Sequence, residues 1–364
     1  MINTITIDKA RKSKIAEVDF NNIPFGRIFS DHMFITEYEK GEWKNPRIIP
    51  FQNLNTHPAI SALHYGQSIF EGLKAYKNLN GVPVLFRPEK NIDRMNKSAE
   101  RMAMPEIPKD LFNKGLEELI KLDHEWIPTL DGSSLYIRPF MFATDEYVGI
   151  KPSDKYTFII FTCPVGPYYS APVKVKVADK YVRAIPGGVG TAKVAGNYAA
   201  TMKGVQEARQ EGYDQILWMD GFEFKYIHEI GTMNVFFQIG DKVITPGLDE
   251  GTILEGITRD SVITLLKSEG YHVEERKVEI KEIIQAHENG TLKDVFGTGT
   301  AATISQISHM GYKGKELELR APEKRELSNY LQKLMNDIKL GRVEDKFNWL
   351  HAIPINAEIN ATEE

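Results

Sequence analysis

The sequence predicts an α+β or mixed α/β fold in two domains. Its 364 residues are enough for two domains. Runs rich in β-branched and aromatic residues alternate with helix-period segments in both halves. Between the halves, Pro164, Gly166, Pro167, Ser170 and Pro172 crowd together and break the composition. The expected organisation is a small N-terminal α/β domain over 1–170, a linker over 171–180 and a large C-terminal domain over 181–364.

The elements follow in order. Residues 32–37 (HMFITE) and 83–87 (PVLFR) read as strands, and Asn80-Gly81 marks a hairpin turn before the second. Residues 89–103 read as a helix with Ile92, Met95, Ala99 and Met102 on one face, and 109–122 as another. The segments 135–144 and 156–163 have the apolar, β-branched character of buried strands. Past the Pro/Gly cluster, KVKVAD reads as a strand. Residues 198–211 read as a helix stopped by Gly212. Strands follow at DQILWMD, NVFFQIG and DKVITP, the last two joined by a Gly240-Asp241 turn. A helix over 258–268 opens at Thr258. Strand YHVEERKV, helix 280–287, strand DVFGTG and an amphipathic helix over 323–339 complete the chain.

Composition narrows the class of function. The chain is 42% hydrophobic and 26% charged, the profile of an ordinary globular protein. Lys plus Arg total 45 against 50 for Asp plus Glu, a net charge of −5, so there is no basic excess to serve nucleic acid. No apolar run approaches the ~20 residues of a membrane span, and the N-terminus lacks a signal-peptide core. One cysteine, Cys163, rules out an intrachain disulfide and an all-cysteine metal site, and no metal is expected. A cytoplasmic protein is the expectation.

Lys193 carries the most chemical information. It is the only cation in Gly187-Gly-Val-Gly-Thr-Ala-Lys193-Val-Ala-Gly-Asn-Tyr198. An amine ringed by small apolar residues loses water, which lowers its pKa and lets it form a Schiff base with a carbonyl. A Walker A loop is a poor competitor, because it needs Gly before the lysine and Ser or Thr after it, and Ala192 and Val194 stand there. Gly297-Thr-Gly-Thr-Ala-Ala302 fits a dinucleotide fingerprint after a strand, with Glu316 and Glu318 about 20 residues on. Only 62 residues remain beyond Ala302, however, so a tight turn whose backbone amides face an anion is preferred. Gly251–Arg259 runs from a loop into a helix, a junction suited to phosphate or to an ordinary cap. Glu229 precedes Ile-Gly-Thr as either a solvated turn acid or a buried, paired one. Arg94 has a surface salt bridge as its default explanation.

Together these pieces describe one ligand: an aldehyde for the lysine, a phosphate for a helix N-terminus and an arginine, and a ring nitrogen for a carboxylate. Pyridoxal phosphate has all three. The sequence resembles the branched-chain amino acid aminotransferases of the fold-type IV, D-amino acid aminotransferase-like class. The resemblance runs from about Phe25 to Leu319. It is carried by FGRIFSDHM, RIIPFQNLNTHPAISALHYGQSIFEGLKAY, LFRPEKNIDRM, SLYIRPF, CPVGPYY, KVAGNYA, EIGTMNVFF, TPGLDEGTILEGITR and FGTGTAA.

The resemblance implies roles. Lys193 would hold pyridoxal phosphate covalently and shuttle the proton. Glu229 would pair with the pyridine nitrogen, Thr232 would support that side of the ring, and Tyr198 would reach the phenolic oxygen. Arg94, Ile257 and Thr258, with Leu254, Gly256 and Thr300, would complete the cofactor contacts. Gly299, Thr300 and Ala301 would bind the substrate carboxylate. Phe25, Tyr65, Phe70, Tyr136 and Tyr168 would wall an aliphatic side chain, and Arg138 would help with the acidic side chain of glutamate. The implied reaction is reversible, ping-pong transfer of the amino group between L-leucine, L-isoleucine or L-valine and 2-oxoglutarate. A homodimer or larger homo-oligomer is implied as well. The redox-active Cys-x-x-Cys of mammalian members is replaced here by Ala302 and Ser305. The alternatives are another fold-type IV enzyme, such as a D-amino acid aminotransferase or an aminodeoxychorismate lyase, a nicotinamide oxidoreductase built on Gly297–Ala302, and a non-catalytic metabolite-binding protein.

Overall fold

The computed structural model describes residues 4–167 and 171–355. Backbone contacts divide the chain into two units, Met1–Tyr168 with Asn336–Glu364, and Tyr169–Met335.

The first unit holds strands β1 (Thr6–Ile7), β2 (His32–Glu39) and β3 (Glu42–Pro50), helix α1 (Ser61–Tyr65), and strands β4 (Ser68–Phe70), β5 (Leu73–Lys77) and β6 (Pro83–Phe86). Helices α2 (Pro88–Arg101) and α3 (Lys109–Leu122) follow, then the long strands β7 (Ser134–Ala143) and β8 (Lys155–Val165). The sheet order is β1-β3-β2-β8-β7-β5-β6, with β4 on β7. The central strands are buried on both faces: β8 pairs β7 over ten positions, and Phe158, Ile159, Ile160 and Cys163 are all buried. Helix α2 buries Ile92, Met95 and Ala99, spaced as a single face, and α3 buries Leu111, Phe112, Leu116 and Leu119. At Gly115 of α3 a Cβ would lie 2.8 Å from the Phe34 ring, so the helix meets that ring through a bare backbone.

The second unit holds β9 (Val173–Val177), α4 (Ala195–Gln210), β10 (Gln215–Met219), β11 (Ile227–Ile230), β12 (Asn234–Ile239) and β13 (Lys242–Pro246). Then come α5 (Ile257–Ser268), β14 (His272–Arg276), α6 (Ile280–Glu288), β15 (Leu292–Gly299), β16 (Thr303–Tyr312), β17 (Lys315–Glu318) and α7 (Glu326–Lys339), which runs across the division. The sheet order is β11-β10-β9-β16-β15-β12-β13-β14, with β17 on β16. Pairs β9–β10, β9–β16 and β13–β14 are parallel and the rest antiparallel, the mixed architecture expected. Val175, Leu217, Trp218, Val235, Phe237 and Ile307 build its main core.

The division departs from the expected spans in two places. Residues 173–177, inside the expected linker, form β9 between β10 and β16: the Val-Lys-Val-Lys-Val alternation buries three valines and pairs on both edges. The chain end does not stay with the second unit. A final strand, β18 (Leu350–Ala352), pairs antiparallel with β6, and Trp349 packs edge-on to Phe86.

Candidate active site

In the second unit, a loop of turns over 181–194 delivers Lys193 to the start of α4. Ala192 and Val194 are buried and Lys193 is half-buried between them. Asn197 fixes the loop from the first turn of α4, its amide donating to the carbonyls of Val189 and Ala192 at 2.9 Å each. Helix α4 begins at Ala195, three residues earlier than the periodicity suggested, so Tyr198 lies in its first turn. There its hydroxyl accepts a 3.0 Å hydrogen bond from Lys193 Nζ, and that nitrogen lies 5.5 Å from the ring centroid.

Glu229 is buried on β11. It is therefore the paired acid of the two readings, not the solvated one. Its Oε1 accepts from the Leu254 amide at 2.7 Å and from Asn234 Nδ2 at 3.3 Å. Arg183 Nε lies 3.3 Å from Oε2, yet that nitrogen makes no hydrogen bond, so this is an ion contact without alignment. Thr232 is exposed in the turn joining β11 to β12, whose Gly231 takes φ +54°. Asn234 also donates to the Leu254 carbonyl at 3.0 Å. Gly256 must be glycine, because a Cβ there would fall 1.9 Å from Asn234 Oδ1.

Gly256 is the N-cap of α5 and no side chain caps this end. The first amides of a helix have no intrahelical acceptor and face the positive end of its dipole. Ile257 and buried Thr258 open that turn, an arrangement that fits a phosphate. Gly299 ends β15 and pairs with Thr303 of β16, leaving Thr300, Ala301 and Ala302 as a three-residue turn with Thr303 at φ 61°. The strand thus returns as an antiparallel hairpin. A dinucleotide fingerprint requires a helix there, and the oxidoreductase reading falls.

In the first unit, Tyr136 and Arg138 are alternate residues of β7 and share one face of it. Arg138 lies over the Phe70 ring at 4.6 Å and the Tyr136 ring at 5.4 Å. Its Nη2 donates to Tyr136 Oη at 3.1 Å, while its buried Nε makes no hydrogen bond. Phe25 meets Tyr136 edge-on at 5.5 Å. Tyr65 ends α1 and is 42% exposed. Tyr168 lies outside the described residues.

Arg94 is not at the surface. It is 7% exposed, and its Nε and Nη2 donate to the two oxygens of fully buried Glu71 at 2.7 and 2.8 Å. Asn91 Nδ2 and the Gly72 amide add 2.8 and 3.1 Å bonds to the same carboxylate. The thiol of buried Cys163 is pushed up to about 11 by desolvation, which keeps it protonated and unreactive. Among the described residues no cluster could hold a metal ion, and no helix is long and apolar enough to cross a membrane.

The family model for class IV amino-transferases matches residues 68–310. The chain belongs to the class IV aminotransferases. It is 47% identical over 342 residues to the branched-chain-amino-acid aminotransferase 2 of Bacillus subtilis, covering 93% of this chain and 94% of that one. It is 44% identical to a probable branched-chain-amino-acid aminotransferase of Staphylococcus epidermidis, over 94% and 97% of the two chains. The crystal structure of the Escherichia coli branched-chain amino acid aminotransferase superposes with a TM-score of 0.73 at 26% identity, covering 89% of this chain and 99% of that one.

This site also uses residues that the motif reading passed over. Arg183, Asn197 and Asn234 support the second-unit groups through contacts to backbone and carboxylate, and Glu71 engages Arg94. The available signals were weak. Arg183 stands ten residues before Lys193, and Asn234 five after Glu229, with no local pattern to pair them.

Proposed function

We propose that this chain is a pyridoxal-phosphate-dependent branched-chain amino acid aminotransferase. It moves the amino group reversibly between L-leucine, L-isoleucine or L-valine and 2-oxoglutarate, by a ping-pong sequence. The reading rests on one observation above all: the half-buried Lys193 amine held 3.0 Å from Tyr198 Oη, in a chain so similar to the Bacillus subtilis enzyme.

When bound, pyridoxal phosphate supplies an aldehyde that carries the amino group and a ring that withdraws electron density from the α-carbon. The remaining work belongs to the chain. Lys193 Nζ would hold the cofactor through its aldehyde and, as a free amine once substrate is bound, would accept the proton from the substrate α-carbon and give it back one position away. Tyr198 orients that amine through the bond already described. Glu229, buried and fixed on Oε1 by two donors, presents a carboxylate to a ring nitrogen. The first amides of α5, with Ile257, Thr258 and the preceding Leu254–Gly256, receive the phosphate, and Thr232 and Arg94 complete the cofactor contacts. The turn Gly299-Thr300-Ala301 takes the α-carboxylate through backbone amides. Phe25, Phe70 and Tyr136, together with Tyr65 and Tyr168, line the aliphatic side chain, and Arg138 meets the second carboxylate of glutamate. An apolar wall separates leucine from valine by only ~1–3 kcal/mol per methylene, so all three branched substrates react.

The protein works as a homodimer or larger assembly in the cytoplasm. An apolar surface supports the assembly: Leu63, Val148 and Ile150 are 68%, 65% and 91% exposed. The Ile60–Glu146 bridge and the Tyr147 amide bond to the Ala59 carbonyl bring their two segments together.

A transamination assay with 2-oxoglutarate across the twenty L-amino acids and D-alanine tests the reading. Borohydride trapping and peptide mapping are done on the same sample. Turnover of leucine, isoleucine and valine, with the cofactor mapped to Lys193, is expected. Preferred turnover of D-alanine would move the enzyme elsewhere within its class, and cofactor attached at another residue would end the assignment.

A further inference from the structure

The Arg183 side chain is 8% exposed and touches three segments of the second unit. Its Nε lies 3.3 Å from Glu229 Oε2 on β11. Its Nη2 donates to the Gly190 carbonyl at 3.2 Å, three residues before Lys193, and to the Thr252 carbonyl, two residues before Leu254. These are the strand bearing the ring acid, the loop bearing the reactive amine, and the loop that ends in the phosphate-binding helix start. The last two run flush against each other: a Cβ on Gly190 would lie 2.5 Å from the Thr252 carbonyl oxygen and 2.7 Å from Ala184 Cβ. Nothing larger than glycine leaves room for one guanidinium to reach both carbonyls. The neighbouring His228, with Nε2 3.3 Å from Thr252 Oγ1, is held toward its neutral form by burial and by the Arg183 charge. Arg183 is therefore a charged partner within ion-pair distance of Glu229, while Arg259 acts on that carboxylate from further off.

Building on the cofactor roles of Lys193 and Glu229 above, we infer that Arg183 is a positioning residue: it keeps Glu229 anionic and locks the strand and the two loops in register for the cofactor. Arginine suits the task. Its rigid fork bonds two carbonyls with one nitrogen while its charge faces a carboxylate, which a lysine cannot reproduce. The charge favours the ionised acid that a protonated ring nitrogen needs as its partner.

The test is a double-mutant cycle read by cofactor affinity. Arg183→Gln, Glu229→Gln and the double variant are prepared as apoenzymes, and pyridoxal phosphate is titrated by absorption. Thermal midpoints are taken before and after loading. Arg183→Gln weakens cofactor binding about tenfold in the native background and about twofold or less once Glu229 is glutamine, because its effect runs through that carboxylate. Equal losses in both backgrounds, or an unchanged affinity for Arg183→Gln, would overturn the inference. Should Arg183→Gln fail to fold, Arg183→Lys enters the same cycle. It keeps the charge but loses the fork, and about threefold weaker binding confined to the native background is expected. Wild-type protein that takes up no pyridoxal phosphate would bring down the functional reading and this inference together. Wild-type uptake with an additive cycle removes the role of Arg183 alone.

Discussion

The two units build their functional groups from different materials. The second unit relies on turns and backbone: Lys193 on a small-residue loop, an uncapped start to α5 at Gly256, and the three-residue hairpin turn after Gly299. The first unit relies on side chains projecting from strands and turns. Arg138 and Tyr136 stand on one face of β7 with Phe70, and Arg94 is committed to Glu71. Backbone sites depend on local chain geometry, which short sequence windows encode. Side-chain walls depend on strand register, which such windows do not. Substituting the reactive side chain of the second unit should therefore alter chemistry with little effect on the fold, and substitutions in the first should alter the fold or the fit.

The largest effect expected is on turnover. Lys193→Ala removes the amine that moves the proton, and leucine transamination falls at least about a thousandfold. The thermal midpoint of the apoenzyme stays within a few degrees, since Lys193 is only half-buried and its removal leaves no buried charge behind. Residual turnover near the native rate would break the contrast at its strongest point.

The counterpart in the first unit is Arg94→Gln. It leaves the Glu71 carboxylate buried without its arginine, a loss of about 3–5 kcal/mol in a urea titration. Glu71→Gln/Arg94→Gln together should recover much of it. A fully stable Arg94→Gln with impaired cofactor uptake would mean that Arg94 serves the ligand alone and not the fold as well.

The degree to which each region was legible follows the same division. Helix α3 begins and ends where its periodicity placed it, because its apolar face is uninterrupted from Leu111 to Ile120. Helix α4 starts a turn early, since Gly196-Asn197 disfavours a helix and the segment carries no apolar periodicity, yet it is recruited by the Asn197 bonds to the lysine loop. Strands β3 and β16 escaped notice. Strand β3 carries Glu42, Lys44, Asn45 at φ 51° and Pro46, and it is stabilised by the β2 hairpin; β16 mixes Ser, Gln and His into an apolar alternation. Strand β18 has three residues, and only its pairing with β6 gives it form. Lys193 and the Gly299 turn were visible as local chemistry, whereas Arg183 and Glu71 depend on partners 46 and 23 residues away.

A smaller effect probes fit within the first unit. At Gly72 a Cβ would fall 2.3 Å from Tyr136 Oη and 3.0 Å from its Cζ. Gly72→Ala therefore displaces the Tyr136 ring at a cost of about 1–3 kcal/mol. It should raise the KM for leucine more than it lowers kcat. Adding Tyr136→Phe removes the closest clash and restores part of the stability. If the pair is no better than the single variant, the glycine is needed for its backbone and not for the space it leaves.

The smallest effect is a pH slope set by two buried lysines of the first unit. Lys339, near the end of α7, is 3% exposed, its ammonium 5.3 Å from the Phe86 ring centroid and 5.8 Å from that of Tyr76. Burial, reinforced by the charge of Lys74, pushes the Lys339 amine down to about 7, and burial brings Lys74 down to about 8. An amine whose folded value lies below its ordinary value near 10.5 binds fewer protons folded than unfolded between the two. Stability from this source is thus fully present above about 10.5 and is lost as pH falls toward about 7, below which it changes no further. The native protein should gain several degrees in thermal midpoint between pH 7.5 and pH 9.5, on the order of one to a few kcal/mol. Lys339→Met should be flatter over that interval, retaining only the part that belongs to Lys74. The same slope in both proteins would show that this lysine stays charged in the fold, stabilised by its aromatic neighbours and by the charges around it.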